Sequence, residues 1–330
     1  MIINGGKTVI AEVYPNIFKN EIVLPRNPLK AINSYIITSE NRNLIIDTGF
    51  NTATCQAQLM SGLEELTIAL NKTDLFITHM HTDHSGLAPI LKKHGVQAIY
   101  FSQLDGDLFN NISRKGNFVQ TIQTHNKIYN LTSNNPFGKD FGDVQIEPLE
   151  FIPLSEGNEI VIGDYCFEVV DIPGHSPGHI GLYERKHRLF FCGDHILDEI
   201  TPNISFWGFG QDILATYLNS LQKVYEYEIN YLFTGHRKVL REHRKRIIEL
   251  FDHHEKRLKE VLTILKDSAK TVGEVAPHMH WDIGNLRWDD FPNSQKWFAS
   301  GEALSHLEHL FHTGLVGRSD RNGMFFYGII

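Results

Sequence analysis

Three histidines and a carboxylate fall within six residues, His79-Met80-His81-Thr82-Asp83-His84, directly after the apolar run Leu75-Phe76-Ile77. Imidazole and carboxylate are the nitrogen and oxygen donors of zinc and its neighbours, and donors this close in sequence converge only on a turn. Residues 75–78 read as a buried strand and Leu87-Ala88-Pro89-Ile90-Leu91 as the start of a helix, so the cluster sits where a strand hands over to a helix. Layered α/β proteins bind ligands in that place.

Further donors follow in similar settings. His175 and His179 lie in Pro173-Gly174-His175-Ser176-Pro177-Gly178-His179, just after a strand that ends at Ile172. The apolar strand Leu189-Phe190-Phe191-Cys192-Gly193 ends in Asp194, and Tyr231-Leu232-Phe233-Thr234-Gly235 ends in His236. Strand ends that each present His or Asp fit two sheets packed face to face with helices outside, an αββα sandwich of the α+β class whose donors meet along one edge.

The remaining elements agree with that outline. Strands are expected at 8–14, 33–38, 43–47 and 97–101, with a hairpin turn at Ser39-Glu40-Asn41-Arg42, and again at 159–163, 165–171, 180–184 and 188–192. Helical spacing marks 54–70 and 211–227. Residues 102–145 are polar and broken at Asn134-Asn135-Pro136-Phe137-Gly138, which reads as a short helical excursion with loops, either shaping the site or decorating the surface.

At about residue 240 the texture changes. A charged amphipathic helix begins at Arg241, followed by 271–276, a helical stretch through 303–310 and a hairpin at 314–330 that turns near Asp320-Arg321-Asn322-Gly323. This divides the chain into a catalytic domain, 1–240, and a small C-terminal helical, winged-helix-like domain, 241–330. Its presumed recognition stretch, 294–312, is not basic, and a net charge of −8 gives no general attraction to nucleic acid or anionic lipid. Three cysteines at scattered spacings read as reduced thiols of a cytoplasmic protein. The Met1–Gly6 stretch lacks the pattern of an export signal, and no apolar run reaches the ~18 residues of a membrane span.

His79-Met80-His81-Thr82-Asp83-His84, Pro173-Gly174-His175, Gly193-Asp194 and Gly235-His236, in that order, resemble the metallo-β-lactamase-fold hydrolases over residues 1–240. Asp194-His195, then Thr201-Pro202-Asn203-Ile204-Ser205, resemble the glyoxalase-II-like branch with a C-terminal winged-helix-like extension. The resemblance implies two divalent ions, zinc foremost with iron or manganese as alternatives. His79, His81 and His175 would hold one ion; Asp83, His84 and His236 would hold the other; Asp194 would bridge them. It further implies a metal-bridged hydroxide that attacks a carbonyl of a small ester, thioester or lactone, with Asp83 and Asp194 as the catalytic carboxylates. Nuclease chemistry at the same pair of ions, and iron-dependent sulfur oxidation on this fold, are the alternatives.

Around the donors, Asp47 reads either as a hydrogen-bond partner of a ligating histidine or as a turn residue. Phe206, Trp207 and Phe209 read as pocket walls or as core, and Asn203 as a donor to the substrate oxyanion. His179 and His195 are set aside because their neighbours already fill the motif. The expected partner is a small molecule, with a homodimer through the C-terminal domain.

Overall fold

The computed structural model describes residues 9–25, 27–114, 117–132, 136, 147–284 and 286–330. The Met1–Gly6 stretch and, apart from Pro136, the 134–138 turn lie outside the described residues.

The first sheet runs in sequence order: β1 (Val9–Tyr14), β2 (Ile17–Val23), β3 (Ala31–Ile37), β4 (Asn43–Ile46), β5 (Thr73–Phe76), β6 (Ile99–Ser102) and β7 (Ile152–Leu154). Pairing is antiparallel up to β4 and parallel beyond it. The connections after β4 and β5 carry α1 (Ala53–Glu65), then α2 (Thr82–Ser85) and α3 (Ala88–Lys93). Helices α4 (Gln103–Ser113) and α5 (Asn117–Tyr129) follow β6. The second sheet holds β8 (Glu159–Ile162), β9 (Tyr165–Asp171), β10 (Ile180–Glu184) and β11 (Leu189–Gly193), with β12 (Tyr231–Thr234) parallel to β11. Between β11 and β12 lies α6 (Ile213–Tyr225).

Side chains alternate across a strand, so each sheet offers two faces. Ile37, Leu44, Ile46 and Phe76 point inward to meet Phe167, Leu182, Phe191 and Phe233 of the second sheet. Their neighbours Ile36, Ile45 and Leu75 face outward, under Cys55, Leu59, Leu63, Leu87 and Leu91. On the far side, Val170, Ile172 and Leu232 pack beneath Leu214, Tyr217 and Leu221. At about 1.5–3 kcal/mol for each large apolar side chain buried, these three layers hold the αββα sandwich together.

The chain then enters α7 (His243–Ile264), α8 (Val272–Val275), α9 (Asn293–His312) and the hairpin β13 (Val316–Arg321)–β14 (Met324–Ile329). The hairpin turns through Asn322 and Gly323, both at positive φ, the conformation an Asn-Gly pair favours. Helix α7 joins two cores: Ile247 and Leu250 cover the second sheet, while Val261 packs with Leu304, Leu307 and Tyr327. Every residue from Ala299 to Glu308 of α9 is buried. No helix among the described residues is long and apolar enough to cross a membrane.

Some elements differ from the expectations. Strand β2 was hidden by Lys19, Asn20 and Glu21, and β7 by its three-residue length. Helix α1 stops at Glu65 because Thr67 adopts a left-handed conformation, φ 56°. The polar stretch after β6 holds two full helices, and α9 spans the expected stretch 294–312 to within one residue.

Candidate metal centre

The turn after β5 becomes one turn of helix. His81 sits at its N-cap and Asp83 and His84 lie inside it, so the three residues project to different sides of one point. His79 reaches that point from the end of β5, His175 from the loop after β9, Asp194 from the end of β11, and His236 from the end of β12. Ligand atoms of His79, His81 and His175 lie within 4.8 Å of one another, as do those of Asp83, His84 and His236, and those of His79, His84 and Asp194. All seven expected donors are therefore brought together. Asp194 stands between the halves, 3.2 Å from His236 Nε2, 3.4 Å from His84 Nε2 and 3.8 Å from His175 Nε2.

The outer faces of four rings are fixed by acceptors, while His81 Nδ1 faces His79 Nε2 at 3.0 Å. His84 Nδ1 donates to Asp47 Oδ2 (2.8 Å), His175 Nδ1 to the carbonyl of Asn203 (2.8 Å) and His236 Nδ1 to that of Ala31 (2.6 Å). Thr78 gives its hydroxyl proton to Asp47 (2.8 Å), which leaves its oxygen to accept from His79 Nδ1 (3.0 Å). Protons held on the outer nitrogens aim the inner nitrogens into the cage, where an ion would take their lone pairs. Nε2 of His84, His175 and His236 and Oδ1 of Asp194 are buried without a hydrogen bond. Such orphans cost about 1–3 kcal/mol each, and divalent cations among them would satisfy all four. The donor set fits a pair of such ions.

Electrostatics divides the cluster. Burial, reinforced by the neighbouring imidazoles, holds His79 well below its ordinary range and pushes His81 down to about 3. On the other side burial works against charge, but Asp194 and Asp83 outweigh it and push His236 up to about 10; His84 is raised by Asp194 and Asp47 in the same way. Burial likewise opposes ionisation of Asp194, yet His236 and His84 hold it well below the carboxylate range.

Several supporting residues escaped the sequence reading. Asp105 is fully buried and accepts from Met80 N (2.9 Å), Ser176 Oγ (2.5 Å) and Gly178 N (2.6 Å), tying the first histidine turn to the His175 loop. Its only sequence signal was Ser102-x-x-Asp105, a local helix-start pattern that gives no hint of tertiary partners. Burial pushes its carboxyl up to about 6 against those three donors. Asp105→Asn is expected to lose about 1–3 kcal/mol of stability, because one amide oxygen cannot serve three donors; chemical denaturation measures it. Asn33 and Tyr35 of β3 hold the carbonyl of Thr234 (3.0 and 2.9 Å), which anchors the His236 loop to the first sheet.

Asp47 is the partner of His84, not merely a turn residue. His179 backs the site, stacked on His79 at 4.6 Å, and His195 lies against Tyr217. Trp207 lies beside the cluster, its ring nearly parallel to that of His81 at 6.3 Å. Phe206 belongs instead to the C-terminal core, against Phe209, which packs on Phe325. Asn203 turns its amide away from the cluster, donating to Glu302 (2.8 Å) and the carbonyl of Phe298 (3.4 Å), so those donors are spent and the oxyanion role is corrected.

Two mixed sheets with a His/Asp cage at their common edge define an αββα protein with a candidate two-ion centre. The sequence model of the Metallo-beta-lactamase superfamily matches residues 28–236; the chain belongs to that superfamily and is a hydrolase of it. A beta-lactamase-like protein 2 homolog of Caenorhabditis elegans is 23% identical over 300 residues, 89% of this chain and 84% of that protein. A hydroxyacylglutathione hydrolase of Haemophilus influenzae is 29% identical over 177 residues, 52% of this chain and 69% of that protein. In fold, the chain is similar to the crystal structure of a metallo-beta-lactamase family protein of Thermus thermophilus. The TM-score is 0.82 at 24% identity, over 97% of this chain and all of the other.

Proposed function

We propose that this protein hydrolyses a small thioester, ester or lactone with two divalent ions, zinc foremost. The observation that carries the reading is the convergence of seven donors, four of which, His84, His175, Asp194 and His236, aim buried and unpaired atoms at one another. His79, His81 and His175 would hold one ion and Asp83, His84 and His236 the other, with Asp194 between them. When bound, such ions ionise a water near neutral pH and polarise a carbonyl. The chain's own residues do the rest. Asp47, Thr78 and the carbonyls of Ala31 and Asn203 hold His84, His79, His236 and His175 in one tautomer and orientation. Burial of the cage excludes bulk water, and Trp207 supplies a flat apolar wall beside His81.

Thioesters rank first among the substrates because a hydroxyacylglutathione is itself a thioester, and the Haemophilus relative carries that name. The enclosed position of α9 and the negative net charge support a small substrate over a nucleic acid. Three free cysteines support a cytoplasmic setting. A panel of acyl thioesters, lactones and RNA, assayed with ions and with a chelator, tests the reading. Turnover of a thioester or lactone that the chelator removes is expected; RNA cleavage in its place would move the assignment to phosphodiesters, and chelator-resistant turnover would end the two-ion reading.

Ion uptake should also release protons. With His236 at about 10, its ring is protonated at pH 7 in the ion-free protein, and the same carboxylates raise His84; a cation on that half must displace the His236 proton. Its affinity should therefore rise with pH below 10, about tenfold per unit for each proton displaced. His81, at about 3, has none to lose at neutral pH. Calorimetry at pH 7 in buffers of different ionisation heat counts the protons, and a count of zero would contradict this picture.

A further inference from the structure

The second half of the chain reaches the cage through a chain of buried and half-buried polar contacts. His175 Nδ1 donates to the backbone carbonyl of Asn203, 28 residues away. The side chain of that same asparagine is fully engaged. Its Nδ2 donates to Glu302 Oε2 (2.8 Å) and to the carbonyl of Phe298 (3.4 Å) in α9, and its Oδ1 accepts from Ser205 Oγ (2.5 Å). Glu302 is buried, and its other oxygen meets Arg257 of α7 at 3.4 Å. Arg257 is buried too; it donates to the carbonyl of His280 and lies 4.0 Å over the ring of Trp281.

A buried carboxylate–guanidinium pair loses so much hydration that an apolar pair of the same shape is often at least as stable. What the charged pair adds is direction: a carboxylate oxygen at one place, aimed at one amide. Here that amide belongs to the residue whose carbonyl sets the ring of His175. We propose that Glu302, held by Arg257, is a positioning residue for the metal centre: through Asn203 it fixes the orientation and tautomer of His175, making the C-terminal helices a brace for the three-histidine half. This rests on the two-ion reading for its consequence, but the brace itself is a property of the ion-free chain.

The experiment compares Asn203→Ala, Glu302→Ala, the double variant and Glu302→Gln. Glu308→Gln serves as control, a buried carboxylate of the same helix that pairs with Tyr327 and Arg318 away from the cage. Zinc affinity is read by competition with a chromophoric chelator, the ligand field by the visible spectrum of the cobalt-loaded protein, and the His175 tautomer by imidazole 15N signals of ion-free protein. Each alanine variant should weaken one of the two ions by ~10- to 100-fold, the span seen when a ligand's hydrogen-bond partner is removed, and shift the cobalt spectrum. The double variant should lose no more than the worse single one, since both cut one path. Glu302→Gln keeps an oxygen for Asn203 and should restore most of the affinity, which keeps the comparison decisive where the alanine variant folds poorly. Glu308→Gln should lower the melting temperature and leave ion affinity unchanged.

In the parent, His175 should carry its proton on Nδ1; in Glu302→Ala the two tautomers should mix. Unchanged tautomer and affinity in Glu302→Ala would overturn the brace, as would losses in Glu308→Gln equal to those in Glu302→Ala. Tautomers that mix in Glu302→Ala, with a parent that takes up no zinc, would keep the brace and end the two-ion reading.

Discussion

Asp194→Asn is expected to lower kcat by about 10³-fold or more on any substrate and to reduce the bound ions from two per chain toward one. Its carboxylate is the group that faces both halves of the cage, within 3.2–3.8 Å of His236, His84 and His175. The amide keeps the shape but loses the charge that balances two cations. A two-ion site stabilises its transition state by several kcal/mol, and each ~1.4 kcal/mol is tenfold in rate. Without ions the fold should survive, because His84 and His236 can shed their protons when their counter-charge is gone. Elemental analysis, steady-state kinetics and a thermal melt of the ion-free variant separate these effects. Undiminished turnover in a folded variant would remove Asp194 from the chemistry.

The second large effect belongs to Asp47, which never touches the ions. Its carboxylate accepts from Thr78 N (2.9 Å), Thr78 Oγ1 (2.8 Å) and His84 Nδ1 (2.8 Å), all buried, and its backbone is left-handed at φ 59°. Asp47→Ala orphans three donors and strains the turn, a loss of at least about 4 kcal/mol from unpaired polar groups at about 1–3 kcal/mol each and left-handed strain of about 1–2. Zinc affinity should fall ~10- to 100-fold as the His84 ring loses its anchor. Asp47→Asn separates the two losses. Asparagine tolerates a left-handed backbone and offers one oxygen, so stability should largely return while affinity does not. Chemical denaturation of ion-free protein and chelator competition give the two numbers; an alanine variant as stable as the parent would show that these donors find other partners.

Much of the site could be read directly because its chemistry restricts residue type. Only a few side chains ligate a hard or borderline cation, and His79 to His84, His175, Asp194 and His236 each follow an apolar strand or a Gly/Pro turn. The alternation of Ile36, Ile37, Leu44, Ile45 and Ile46 likewise marks strands with two buried faces, which demands layers on both sides. Where local pattern and fold diverged, the reason was again physical. Residues 102–132 are polar because α4 and α5 are partly exposed, and polarity alone does not separate a surface helix from a loop. Phe206 and Trp207 are adjacent and both aromatic, yet one faces the C-terminal core and the other faces His81.

By itself the sequence determined the donors, their order along the chain and the layered class of fold, since ligand chemistry and strand periodicity are properties of residue type and spacing. Tertiary structure alone decided which nitrogen of each histidine faces inward, that Asp105 joins Met80 to Ser176, residues 25 and 71 positions from it, and that Asn203 spends its amide on Glu302. A hydrogen bond depends on distance and angle between groups brought together by packing. Neighbours along the chain carry no record of that meeting.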